Sequence, residues 1–96
     1  MKFAVIYRPK TPPPLDAVAG MFEGMGQWLQ KYQGQMDVLY FFAGGGGFGV
    51  MDVDDAGDLQ RMLAEHPFTT YADVEINPVV DAQAALQNLQ EGLAQR

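Results

Sequence analysis

The chain has no cysteine and a single histidine among its 96 residues. Without thiols there is no disulfide framework, no thiolate nucleophile and no cysteine-ligated metal site. One histidine beside scattered carboxylates makes no metal-ligand spacing, so neither a metal nor another cofactor is expected. Basic residues are few, six Lys and Arg against twelve Asp and Glu, for a net charge of −6. They form no stripe. An acidic surface repels phosphate backbones, which argues against general nucleic-acid binding, and there is no basic cluster to meet anionic lipid. Long apolar runs are also missing. No segment approaches the ~20 apolar residues of a membrane span, and the stretch after Met1-Lys2 is too short for a secretory leader. No membrane partner and a cytoplasmic location are the expectations that follow.

What is present reads as globular. Hydrophobic residues make up 48% and charged residues 19% of the chain, a folded composition and not a disordered one. The length suits one domain spanning 1–96. A chain this short buries only roughly 60–65% of the surface its unfolded form exposes. Association with a second copy would therefore reinforce a marginal core.

The patterning gives an element order. Phe3 to Tyr7 is a short apolar run of β-formers, a buried first strand. Pro9, Pro12, Pro13 and Pro14 force an extended loop. Leu15, Val18, Phe22, Met25, Leu29 and Tyr32 recur at steps of three and four, which predicts a helix over Leu15 to Tyr32 with Gly34 as its left-handed cap. Met36–Phe42 and Phe48–Val53 read as two strands joined by the glycines 44–47, a hairpin. Asp54 or Asp55 caps a second helix over Ala56–Glu65, stopped at His66-Pro67. Thr69–Asn77 alternates as a fourth strand, with Thr70, Ala72, Val74 and Ile76 on one face and Thr69, Tyr71, Asp73, Glu75 and Asn77 on the other; Pro78 ends it. Asp81 caps a last helix, Ala82–Ala94, with Leu86, Leu89 and Leu93 on one side. The order β-α-β-β-α-β plus a terminal helix is the α+β, ferredoxin-like arrangement. Its sheet carries helices on one face only, so the other face meets water or a partner.

Phe42-Ala43-Gly44 leading into Gly49-Val50-Met51-Asp52-Val53, and then Leu63 to Ile76 with Pro67-Phe68, Tyr71, Asp73, Val74, Glu75 and Ile76 in order, resemble the muconolactone isomerase family. The resemblance implies a dimeric α+β barrel, two such sheets packed face to face. It implies a cofactor-free proton transfer within a small unsaturated lactone acid, or related chemistry on phenolic or polyketide-like ligands. His66 and Thr70 depart from that family's pattern, as does the proline-rich first loop.

Several residues can carry such chemistry, each with a plainer alternative. Asp73 and Glu75 share a strand face with Tyr71. Two residues apart they stand ~7 Å from each other, and if buried one serves as acid and the other as base; the alternative is a solvated face. His66 titrates near neutrality and can take a proton beside a carbonyl, or cap the carbonyls of the helix it follows. Gly20 and Gly24, flanked by Met21, Met25 and Trp28, either open a pocket beneath the first helix or let that helix pack closely. Tyr7, Tyr40 and Tyr71 come from three strands and can orient a carbonyl or phenol, or simply fill the core and the dimer interface. Arg8 can hold a ligand carboxylate or lie on the surface. The glycines 44–47 are no phosphate loop, since no Lys or Ser/Thr and no helix follows. Two functions remain open: a cofactor-free isomerase or cyclase on a small, largely apolar ligand, and a non-catalytic ligand-binding or oligomerisation module.

Overall fold

A computed structural model describes residues 1–95. Its elements are β1 (Lys2–Pro9), α1 (Val18–Tyr32), β2 (Met36–Phe41), β3 (Gly47–Asp52), α2 (Ala56–Ala64), β4 (Ala72–Val79) and α3 (Ala82–Ala94). The sheet order is β2-β3-β1-β4, and every neighbouring pair is antiparallel. β1 and β2 therefore run parallel with β3 between them, the split β-α-β arrangement of the ferredoxin-like fold.

Register sorts the sheet into two faces. Val5 stands opposite Gly49 on one side and Ile76 on the other, so Phe3, Val5 and Tyr7 share a face with Gly47, Gly49, Met51, Val74 and Ile76. α1 and α2 lie on that face. The core is Phe3, Val5, Met51 and Val53 from the sheet side, Trp28 from α1, and Leu59, Met62 and Leu63 from α2. The indole Nε1 of Trp28 donates to the Met62 carbonyl at 2.8 Å and so ties α1 to α2. Asp55, the second of the two capping candidates, accepts from the Asp58 amide at 2.9 Å. Asp81 accepts from the Gln83 and Ala84 amides at 3.1 and 3.3 Å. Both caps satisfy donors that the first helical turn leaves open.

Four details differ from the sequence reading. Leu15–Ala17 is a 3₁₀ turn, with Leu15 on the surface instead of in the apolar face of α1. Gly34 is not left-handed; only Gly45 and Gly46 have positive φ among the described residues, and α1 runs out through a 3₁₀ turn at Gln33–Gln35. Thr69–Tyr71 is also a 3₁₀ turn, so β4 starts at Ala72. Pro78 lies inside β4, opposite Phe3. It is tolerated because β4 is an edge strand, where a missing N–H interrupts no second ladder. Among the described residues, no helix is long and apolar enough to cross a membrane.

Replacing Trp28 by phenylalanine keeps most of the buried ring but leaves the Met62 carbonyl without its donor. The expected cost is about 1–3 kcal/mol of stability, measured by urea denaturation with an unchanged slope.

Candidate functional site

The sheet's helix side is not uniformly filled. Beneath the N-terminal half of α1 lies a cavity of about 590 Å³, between that helix, the sheet and the proline loop. This is within the size range of small-ligand sites. Phe22, Met25 and Trp28 close it from α1, Leu39 and Phe41 from β2, and His66, Phe68 and Tyr71 from the connection between α2 and β4. Its floor is made by absences. Gly47 and Gly49 are buried on β3, and a Cβ on Gly49 would meet the Val38 carbonyl oxygen and Met51 Cε at 2.9 Å. Gly46 turns the hairpin with φ of 80°, and a side chain there would run into the Tyr7 carbonyl oxygen. The proline loop forms the rim. It is held by the Lys10 and Thr11 amides, which both donate to the Tyr71 carbonyl at 3.0 and 3.2 Å.

Polar atoms on this wall are few and ordered. Thr69 Oγ1 donates to the Leu63 carbonyl at 2.7 Å. Its one proton is thereby used, so in the 2.9 Å contact between Tyr7 and Thr69 the phenol donates. Burial raises the Tyr7 pKa. His66 stacks on Tyr7 with ring centroids 4.7 Å apart and meets Trp28 edge-on at 4.6 Å. Its Nδ1 accepts the Phe68 amide proton at 3.1 Å. That bond places the imidazole proton on Nε2. His66 lines the cavity, and its Nε2–H is neither bonded to another group among the described residues nor sealed in the protein. Burial pushes the His66 pKa down to about 4. At neutral pH the ring is an uncharged donor.

The other residues named from sequence divide. Tyr7, Met25, Trp28, His66 and Tyr71 all line the cavity. Asp73 and Glu75 do not: they lie on the opposite sheet face, where Asp73 pairs with Lys10 and Glu75 with Arg8, each at 3.7 Å. Tyr71 leaves their company because the 3₁₀ turn breaks the alternation that put it on their face. Arg8, with its partner Glu75, is likewise away from the cavity, and Tyr40 stacks on Phe48 at 5.7 Å on the open face. Gly20 and Gly24 are not on the cavity wall. A Cβ on Gly20 would meet nothing within 4 Å, and one on Gly24 would touch Pro67 Cγ at 3.7 Å, an ordinary contact. Met21 is absent from the cavity wall. His66 does not cap helix carbonyls through its ring; its ring is the acceptor of a backbone N–H. Gly47 and Gly49 were the missed floor, and their signal was the alternation Gly47-x-Gly49-x-Met51 within a strand. Among the described residues, no three His, Asp or Glu stand close enough to share a metal ion.

A family profile described as "Domain of unknown function (DUF3303)" matches residues 1–93. The search of curated proteins gives no match. Two solved structures share the fold. A crystal structure of muconolactone isomerase superposes with a TM-score of 0.72 at 23% identity, covering 82% of this chain and 88% of that one. The 5-chloro-2-hydroxyhydroquinone dehydrochlorinase from Burkholderia phenoliruptrix, in complex with 2,5-dihydroxybenzoquinone, superposes with 0.67 at 18% identity, covering 88% of this chain and 98% of that one. The resemblance read from the hairpin and from residues 63–76 thus holds at the level of the fold.

His66, the sole histidine, titrates in isolation. Its ring resonances are expected to move with a midpoint near pH 4 and to show the Nε2–H tautomer at pH 7 by ¹⁵N NMR. The unfolded chain binds this proton near pH 6.5, so the neutral ring's contribution to stability is fully present above that value. It is lost as pH falls from about 6.5 towards 4. His66→Phe is expected to flatten that part of the stability profile, read as Tm against pH.

Proposed function

The chain belongs to the DUF3303 family, and from that premise we propose that it binds a small, planar, uncharged ligand bearing oxygen, with His66 Nε2–H donating to that oxygen. Unsaturated lactones, phenols, quinones and polyketide-like rings are the chemical classes in view. The observation that carries this reading is His66 on the wall of a largely aromatic and aliphatic cavity, its Nδ1 held by the Phe68 amide so that the ring proton sits on Nε2. Aromatic and Met side chains suit a flat ring. A free carboxylate or phosphate would enter such a wall only with a desolvation cost. Among the described residues, the one Lys or Arg on the lining is Lys10, which lies at the loop rim and pairs with Asp73. The two similar structures, a lactone isomerase and a dehydrochlorinase holding a dihydroxybenzoquinone, support ring compounds of this kind.

An isomerase-type proton transfer, the finer reading, asks for an electrophile at a carbonyl oxygen and a base at the neighbouring carbon. His66 suits the first role, because a neutral imidazole donor can stabilise the charge that develops on an enolate oxygen. It does not suit the second, because Nδ1 is already engaged by the Phe68 amide. No Asp or Glu lines the cavity. The geometry therefore favours polarised binding first, with turnover requiring a base from the ligand, from water or from another subunit. No cofactor enters this scheme.

Self-association is part of the proposal. The open sheet face exposes Tyr40 at 64% and Phe48 at 37%, beside Ile6, Val38 and Val50, and a second sheet would cover it as in a dimeric α+β barrel.

Two measurements decide these points. In a thermal-shift panel of unsaturated lactones, catechols, quinones and aromatic polyketide mimics, one class at ~100 times its dissociation constant adds ~2.7 kcal/mol, about 10–20 °C for a domain of this size. His66→Phe is expected to weaken that class roughly 3–10-fold, the worth of one neutral hydrogen bond; equal affinity in the variant would remove His66 from the site. Sedimentation is expected to show a species heavier than the 10.6 kDa monomer at micromolar concentration.

A further inference from the structure

Helix α3 has nothing to rest on. Leu86, Leu89 and Leu93 form one stripe and are 60, 64 and 65% exposed, and no residue of α3 is buried. The helix leaves the body after β4 through Val80 and Asp81. The molecule is drawn out accordingly, to 60 × 25 × 21 Å with a radius of gyration of 16.4 Å, whereas a compact chain of this length has about 13 Å. A projecting 13-residue helix with an apolar stripe gains little from its own propensity and needs a surface to pack on.

The same chain carries an unfilled surface of matching character. Between α2 and β4 runs a groove of about 370 Å³, lined by Phe3, Leu59, Leu63, Val74 and Ile76, with Gln60 and Thr69 as polar neighbours. Ile76 is 46% exposed there. Among the described residues, no charged side chain lines the groove. Helix α3 has one charged residue, Glu91. Two acidic copies of this chain can approach through surfaces of this kind without like-charge repulsion, whereas a basic partner or an anionic one finds no complementary charge on either.

We propose that α3 docks in the α2–β4 groove of a second copy, with the exchange made reciprocally so that a closed two-fold dimer results. Such an isologous arrangement uses the same pair of surfaces twice and leaves neither stripe nor groove uncovered. The inference is independent of what the cavity binds. It also has a consequence for it: Leu63 and Thr69, which hold the Tyr7 hydroxyl, are in the groove wall, so the partner's helix would pack directly behind the cavity's tyrosine.

The lack of cysteine makes the test clean. Leu89→Cys in one sample and Gln60→Cys in a second, size-tagged sample are mixed, allowed to exchange subunits and treated with a short bismaleimide linker. Glu23→Cys, exposed on α1, replaces Gln60→Cys as the off-groove control. The expected result is a mixed-size covalent dimer formed at least tenfold more with Gln60→Cys than with Glu23→Cys. Equal yields, or no dimer, overturn the proposal. So does a Leu89→Cys/Gln60→Cys double variant that gives only an internally linked monomer, since α3 then folds onto its own groove. As a second readout, adding Leu86→Glu/Leu93→Glu to the Leu89→Cys chain is expected to lower the yield of the mixed-size covalent dimer with Gln60→Cys at least tenfold, with the far-UV spectrum retained; an unchanged yield overturns the exchange.

Discussion

The indole of Trp28 is the contact on which the helix layer depends. Its N–H reaches the Met62 carbonyl and joins α1 to α2, its body is 5% exposed within the core, and its edge meets His66. Near the same end of α1, Lys31 and Tyr32 both bond the Glu65 carboxylate at the surface. The C-terminal half of α1 is thus pinned against α2. Its N-terminal half has no such tie among the described residues, and the strand beneath it offers Gly47 and Gly49 where other strands have side chains. A helix fixed at one end above a floor without side chains leaves a wedge-shaped space at the other. The cavity follows from that asymmetry, and Met25 and Phe22 border it because they are the next turns along the same helix.

Ten residues of chain supply most of the polar order at this space. From Leu63 to Ala72 the backbone leaves α2, passes Pro67, makes a 3₁₀ turn and enters β4. Along the way it provides the carbonyl that accepts from Thr69, the hydroxyl that accepts from Tyr7, the imidazole, the amide that orients the imidazole, and the carbonyl that anchors the proline loop. Among the described residues, each of these groups has its partner except at His66 Nε2–H. A connection this short cannot rearrange one member without disturbing the others, which keeps the donor fixed in direction.

The fold was legible because its signals are periodic. The 3–4 spacing in α1, the alternation around Val74 and Ile76, and the caps at Asp55 and Asp81 all rest on local rules that tertiary contacts did not override. Part of the site was legible for the same reason: Tyr7 and Met25 lie at positions their strand and helix periods point inward, whereas Trp28 falls off the Val18, Phe22, Met25, Leu29 stripe. The remainder failed where a local rule met a competing one. Thr69–Tyr71 alternates like strand, but three consecutive residues after Pro67-Phe68 close a 3₁₀ turn, and that turn moved Tyr71 into the cavity and away from Asp73 and Glu75. Glycines in α1 drew attention because glycine is costly in a helix. The ones that shape the cavity sit in β3, where a buried glycine on the helix-facing register looks from sequence like the tail of a hairpin.

The separation of the two sheet faces explains why the carboxylates are poor candidates for chemistry and good ones for solubility. Arg8–Glu75 and Lys10–Asp73 join β1 and its following loop to β4 with side chains 53–71% exposed. Pairs this exposed contribute little to stability. Their position at the β4 edge leaves Ile6, Val38, Tyr40, Phe48 and Val50 as the apolar centre of the open face with charge along one margin. An apolar centre with a charged margin is the composition of a protein interface. A 96-residue chain with two helices on one side of its sheet, a third helix with no buried residue and an exposed apolar face on the other side carries a large share of its hydrophobic surface outside its own core.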